Sequence, residues 1–163
     1  MKKYIVIGNP IEHSMSPKLH NFWIKSNSIK AIYSKEKVLK NDLKFTVDRM
    51  RNKKLDGINV TVPHKSDIIP YVDELTKESQ HTQSVNTIFV RNGKIIGHNT
   101  DIAGFDLSLR HAKLNLKNMK VLILGAGGVS PSLIYALKNY EPKEVAISNR
   151  TYSKAEDLSL IHI

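Results

Sequence analysis

Seven short apolar runs alternate with segments whose apolar residues recur every three or four positions, and no other feature restricts the possible folds as strongly. The strand-like runs cover residues 4–8, 31–37, 56–61, 86–91, 94–98, 120–124 and 144–148. The helical pattern covers 17–27, 41–53, 73–82, 101–113, 129–140 and 153 onward. Strands that alternate with helices build a mainly parallel sheet covered by those helices, so the chain is expected to be α/β. Asn92-Gly93, between two of the runs, predicts a two-residue hairpin turn.

A chain of 163 residues accommodates one large domain, or one small domain and part of a second. Its 40% hydrophobic content suffices for a packed core. A domain boundary is expected within residues 101–118, where a polar constellation ends at Asp101 and Lys113-Leu114-Asn115-Leu116-Lys117-Asn118 leads into a fresh β-turn-α unit. The expected division is therefore 1–101 and 102–163, with the helix after Asp101 as the hinge. The first strand is too short for a signal peptide's apolar core and no run is long enough to span a bilayer, so a soluble, cytoplasmic protein is expected. The absence of cysteine excludes disulfides and thiolate catalysis.

Three polar runs sit beside strand-like stretches: Asn59-Val60-Thr61-Val62-Pro63-His64-Lys65, Val85-Asn86-Thr87 and Asn99-Thr100-Asp101. Their amides and hydroxyls suit a small polyhydroxylated ligand, and Lys65 and Asp101 are candidates for moving a proton. Asn59 and Thr61 are two apart in a strand and share one face, while Ile58, Val60 and Val62 take the other. Pro63 stops the ladder and Lys65 follows at the strand end, where open α/β sheets hold their ligands. The alternatives are an exposed edge strand with a surface lysine, and Asp101 as an N-cap. Ser14-Met15-Ser16-Pro17 likewise has two compatible readings. Ser16 caps a helix whose first residue is Pro17, or Ser14 and Ser16 join the free helix N–H groups in binding a carboxylate.

Gly125-Ala126-Gly127-Gly128-Val129-Ser130 lies between a strand and a helix, as a phosphate-binding turn requires, although Ser130 stands where a full dinucleotide fingerprint has its third glycine. The next strand ends in Asn149-Arg150-Thr151, with Lys154 one turn later. An NAD-selective site places a carboxylate there for the ribose hydroxyls; cations and small polar groups instead suit a 2′-phosphate, so NADP is the expected cofactor. A polyol site followed by a dinucleotide site is the layout of an alcohol dehydrogenase.

The net charge of +10 raises the question of a polyanion, but the lysines are scattered and aromatics do not interleave with them. Neither nucleic acid nor membrane is an expected partner, and a homodimer is compatible with the sequence. None of the seven histidines pairs at metal-ligand spacing, and no metal is assigned.

These motifs, together with Gly8-Asn9-Pro10-Ile11-Glu12-His13 before Ser14 and Gly97-His98 before Asn99, closely resemble the shikimate dehydrogenase family, in family order over nearly the whole chain. The resemblance implies an α/β substrate-binding domain followed by a Rossmann-type NADP domain, and reversible NADP-dependent reduction of 3-dehydroshikimate to shikimate, a step towards chorismate and the aromatic amino acids. It implies that Ser14 and Ser16 bind the carboxylate, and that Asn59, Thr61, Asn86 and Asp101 hold the ring hydroxyls. Lys65 would take the proton from the reacting hydroxyl, with Asp101 orienting it. NADP would rest on Gly125, Ala126, Gly127, Gly128 and Val129, and on Asn149, Arg150, Thr151 and Lys154. The competing readings are a quinate/shikimate paralogue and a polyol-binding fragment without turnover.

The chain departs from the family pattern at Thr82-Gln83-Ser84, where Gly-Ala is usual, at Ile102-Ala103, and at Val129-Ser130-Pro131. It also stops at Leu160-Ile161-His162-Ile163, after two β-α units of the nucleotide domain, and so looks like a truncated member without the family's final helix and its Gln. An incomplete sheet of this kind is expected to expose an unpaired edge and an apolar face.

Overall fold

The computed structural model describes residues 1–162, with side chains through Leu158. The chain runs β1 (Lys2–Gly8), α1 (Ser16–Ser26), β2 (Ala31–Lys37), α2 (Leu43–Arg51), β3 (Gly57–Val60), β4 (Glu74–Leu75), α3 (Lys77–Thr82), β5 (Thr87–Arg91) and β6 (Lys94–His98). It then crosses on α4 (Asp101–His111) to β7 (Lys120–Leu124), α5 (Ser130–Leu137), β8 (Glu144–Ser148) and α6 (Tyr152–His162). The first six strands form one sheet in the order β2-β1-β3-β5-β6-β4, and β7 pairs with β8 in a second.

Strand β1 is parallel to both β2 and β3, so its central residues are covered on both sides and read as the unbroken apolar run Ile5-Val6-Ile7. Ile5, Ile7, Ile58 and Val60 point to the face covered by α2, where they meet Leu43, Val47 and Met50. Val6 and Tyr33 take the opposite face with Ile11 and Ile24. Asn59, between Ile58 and Val60, falls on this second face, as the alternation in the sequence requires. Strands β5 and β6 are antiparallel, with Arg91 opposite Lys94. Asn92 and Gly93 both have positive φ, 53° and 77°, the pattern of the type I′ turn that matches strand twist.

Every expected strand is present, and the differences lie at the ends and in one segment. The helix expected over 73–82 is instead the short strand β4 followed by α3. Glu74 and Leu75 pair in parallel with Ile96 and Gly97, and the edge of the first sheet thus draws in residues whose own spacing suits a helix. Helix α1 begins at Ser16, not Pro17; Met15 holds the capping position, and the Ser16 N–H donates to Ser14 Oγ at 3.3 Å. Pro17 therefore sits at the second helical position, where a missing N–H is equally harmless.

Leu109 near the end of α4 joins Ile123, Ile134, Leu137 and Leu158 in a separate core under the second sheet. Val121, Ile123, Val145 and Ile147 belong to this core, while Leu122 and Leu124 point the other way and are 61% and 79% exposed. Each strand of the second sheet has one partner among the described residues. A bare apolar face beside an open edge is a site of self-association. Replacing Leu122 and Leu124 together by Glu is expected to lower light scattering of the concentrated chain while its circular dichroism stays the same. Scattering that does not fall would place the sticky surface elsewhere. Among the described residues no helix is long and apolar enough to cross a membrane.

Candidate active site

Four strand ends meet at one end of the first sheet. The carboxyl ends of β1 and β3 lie side by side, since Ile7 pairs with Val60 and the Thr61 N–H continues the ladder to the Ile7 carbonyl at 2.9 Å. Strand β5 begins at this end and β6 finishes there, with Thr87 opposite both Asn59 and His98. The polar runs, far apart in sequence, are therefore neighbours.

Lys65 Nζ donates to Asp101 Oδ2 at 2.7 Å, and the two side chains are 14% and 22% exposed. Asn86 Nδ2 donates to the other carboxylate oxygen, Oδ1, at 2.8 Å. Asp101 thus has both oxygens engaged, one by a cation and one by an amide. The Asn86 side-chain oxygen Oδ1 accepts from the Thr100 N–H at 3.0 Å and from Thr87 Oγ1 at 3.0 Å. Thr87 Oγ1 in turn accepts from Asn59 Nδ2 at 3.1 Å, and Asn59 Oδ1 accepts from the Tyr33 hydroxyl at 2.7 Å. Burial holds the Tyr33 phenol above its usual range, so it remains a neutral donor to Asn59. One hydrogen-bonded chain therefore runs from Tyr33 through Asn59, Thr87 and Asn86 to Asp101 and Lys65.

Asp101 is not the N-cap that its position also allowed. Thr100 holds that place, the Asp101 N–H donates to Asn99 Oδ1 at 2.8 Å, and the carboxylate turns to Lys65 and Asn86. His64 turns away into the core, fully buried, and its Nε2–H donates to the Val38 carbonyl at 2.8 Å. This anchors the segment carrying Lys65, whose carbonyl also accepts from the Val85 N–H at 2.8 Å. Thr61 is half-buried beside this network, and its hydroxyl has no protein partner among the described residues. Ser14, on the loop that leaves β1, and Ser16, the first residue of α1, are both half-buried.

The glycine turn reaches this site from the second lobe. A Cβ placed on Gly128 would lie 3.9 Å from Lys65 Cδ, and Ser84 Oγ lies 3.4 Å from the Gly128 carbonyl. Gly125 has φ +107°, and the space beside Gly125 and Gly127 is open, as a backbone that admits a phosphate needs. The Gly125 N–H donates to the Ser148 carbonyl at 2.7 Å, that of Ala126 to Asn149 Oδ1 at 3.1 Å, and that of Gly127 to Ser130 Oγ at 3.1 Å. Gly128 and Val129 keep their N–H groups free of protein acceptors, and these two are the donors left for an anion. Asn149 is committed to the turn, whereas Arg150, Thr151 and Lys154 are exposed beside it. Open space, two free donors and two nearby cations fit a phosphorylated dinucleotide. A groove of about 550 Å³ between α5, β8 and α6 is lined by Leu137, Val145, Ile147 and Leu158 and shares no residue with the polar network.

Tyr33 was not singled out by its sequence, and neither Thr87 nor Asn99 was given a separate role. The Thr87 and Asn99 signals were present, since both stand in the polar runs. Tyr33 had none, because a strand tyrosine is ordinary until the neighbouring strands bring it to Asn59.

Sequence profiles of known families match both parts of the chain. The shikimate dehydrogenase substrate binding domain matches residues 6–88, and the shikimate/quinate 5-dehydrogenase profile matches residues 106–161. The shikimate dehydrogenase (NADP(+)) of Pelagibacter ubique strain HTCC1062 is 52% identical over 157 residues, which is 96% of this chain and 59% of that protein. The solved shikimate dehydrogenase of Aquifex aeolicus superposes with a TM-score of 0.91 at 38% identity, over 99% of this chain and 60% of that one. The shikimate 5-dehydrogenase of Thermus thermophilus, solved in complex with NADP(H) and shikimate, superposes with a TM-score of 0.89 at 30% identity over 99% of this chain and 61% of that one. The chain thus spans about three fifths of the length of these relatives. With both profiles matched in order and 99% of this chain superposing on part of each of these solved members, the chain belongs to the shikimate dehydrogenase family.

Proposed function

We propose that this chain carries the shikimate site and the first part of the NADP site of a shikimate dehydrogenase, an oxidoreductase that interconverts 3-dehydroshikimate and shikimate. The observation that carries the reading is the Lys65–Asp101–Asn86 cluster at the end of the first sheet, with the glycine turn packed against Lys65. In the reducing direction the Lys65 ammonium gives a proton to the oxygen of the reacting carbonyl as hydride reaches its carbon; in the oxidising direction the neutral amine takes that proton back from the hydroxyl, and Asp101 fixes the direction of the group. NADP held on the glycine turn would supply the acceptor for the hydride on the carbon that bears this hydroxyl. Asn59, Thr61 and Asn86 offer amides and a hydroxyl to the remaining ring hydroxyls, and Ser14 and Ser16 face the carboxylate.

On the cofactor side, the Gly128 and Val129 N–H groups take the pyrophosphate, and Arg150, Thr151 and Lys154 take the 2′-phosphate. Asn149 supports the turn from behind through Ala126. The proposed division into a substrate lobe over 1–101 and a nucleotide lobe over 102–163 follows the two hydrophobic cores.

Calorimetric titration of the chain with shikimate tests the reading without requiring turnover. Saturable binding is expected, weakened about fivefold by Ser14→Ala, the effect of one hydrogen bond worth ~1 kcal/mol, and more strongly by Lys65→Ala. A folded chain that gives no heat with shikimate would overturn the assignment of the substrate site to this part of the protein.

A further inference from the structure

A buried group of polar side chains joins the two lobes behind the catalytic cluster, and none of its members has a role in the reading above. Thr82, Ser84, Asn99 and Ser132 are all buried. Asn99 Nδ2 lies 2.9 Å from Ser132 Oγ on α5, 3.1 Å from Thr82 Oγ1 and 3.1 Å from the Ser84 carbonyl. Two amide hydrogens thus serve three acceptors. The orientation of the amide follows from its partners: the Ser84 carbonyl only accepts and the Asp101 N–H only donates, so Nδ2 faces the first and Oδ1 the second. Thr82 Oγ1 gives its own hydrogen to the Glu78 carbonyl at 2.7 Å and is left to accept from Asn99. The Thr82-Gln83-Ser84 run supplies two of these acceptors.

We propose that Asn99 is a positioning residue. Its amide ties α5 of the second lobe, through Ser132, to the backbone of Asp101, so that the seating of that lobe sets the direction in which the Asp101 carboxylate holds Lys65. Asn99 stands two residues before Asp101 and touches its N–H directly, at the first turn of α4. The helix that follows the glycine turn is bonded to the same amide, so a movement of α5 pulls on the group that fixes Asp101. Ser84 adds a parallel contact to the Gly128 carbonyl. In a low-dielectric interior a bond of this kind has no water to replace it, and its loss leaves the amide looser.

The inference rests on the proposed roles of Lys65 and Asp101, and its test separates the two. Ser132→Ala removes one hydroxyl and places a good helix former in α5, so the variant keeps its fold, whereas Asn99→Ala would strip several buried groups of their partner at once. Amide hydrogen exchange of the full chain, followed by NMR, is the first measurement. In Ser132→Ala the Asp101 amide is expected to exchange about fivefold faster, the loss of a single hydrogen bond, while the β1 amides of Ile5 and Ile7 keep their rates. An unchanged Asp101 rate would overturn the proposal.

Shikimate titration is the second measurement. Ser132→Ala is expected to weaken binding about fivefold in the wild-type background and to have no effect in an Asp101→Asn background, because the two act through one group. Additive effects would overturn the coupling. If the wild-type chain binds no shikimate, the reading of the active site fails, and the exchange rate of the Asp101 amide alone decides the role of Asn99.

Discussion

Asp101→Ala is expected to weaken shikimate binding by one to two orders of magnitude while leaving the chain folded. The carboxylate engages two partners, the Lys65 amine at 2.7 Å and the Asn86 amide at 2.8 Å. Removing it leaves the Lys65 amine without its partner and the Asn86 amide with only the Thr100 hydroxyl, 2.9 Å away. Hydrogen bonds to charged groups contribute roughly 1.5–3 kcal/mol, which corresponds to about 10- to 150-fold in affinity. Breaking a fully buried ion pair costs more, roughly 3–5 kcal/mol, but Lys65 and Asp101 keep partial contact with water and the lower range applies. A second readout needs no ligand. Without its carboxylate partner Lys65 becomes freer, and its labelling by an amine-reactive ester, mapped by mass spectrometry, is expected to quicken several-fold. Equal affinity and equal labelling in the variant would mean that the ion pair organises nothing.

Ile7→Ala is expected to destabilise the part of the chain built on the first sheet by about 3–4 kcal/mol, a large share of the ~5–15 kcal/mol that holds a typical domain. Ile7 is fully buried, lies between β2 and β3, and packs in the principal core with Ile5, Ile58 and Val60. Strand β1 itself is paired on both edges, which keeps its backbone from shifting into the space left behind. Trp23, the one tryptophan, lies on α1 against this lobe and reports its unfolding by fluorescence in urea. A leftward shift of the fluorescence midpoint with an unchanged slope is the expected result. Leu124→Ala, at a position 79% exposed, is expected to move it hardly at all. Similar shifts for the two would mean that the β1 site relaxes around the deletion.

The two lobes should differ in stability as well. In the first sheet β1 and β3 have partners on both sides, whereas β7 and β8 have one each among the described residues. The second core is smaller and its sheet is bare on the Leu122 and Leu124 face. Both features make the second lobe the more easily opened of the two.

Much of the fold was legible because its signals are local. Runs such as Ile5-Val6-Ile7 and Val121-Leu122-Ile123-Leu124 are strands whatever surrounds them, and Asn92-Gly93 supplies its own positive φ values. The alternation of Ile58, Asn59 and Val60 told which side chains leave the core, and the glycine turn announced a close backbone approach. The segment over 73–82 departs from its local pattern for the converse reason. Its helical spacing holds for α3, but Glu74 and Leu75 are recruited by β6, and no local pattern records a strand partner some twenty residues away.

The candidate site divides in the same way. The sequence by itself determined the chemical inventory, namely a lysine, a carboxylate, amides and hydroxyls at strand ends and a glycine turn before a helix, because residue type and period two are properties of neighbouring positions. Only the tertiary structure decided which of them meet. Asp101 had an equally good local use as a helix cap, and it holds Lys65 because the fold sets that amine 2.7 Å from its carboxylate. Tyr33 joins Asn59 only because β1 sets β2 and β3 in register on either side of it. Asn99 meets Ser132 only where the two lobes close. Hydrogen-bond partners are chosen by distances of about 3 Å between chain segments far apart in sequence, and such distances exist only after the sheet has formed.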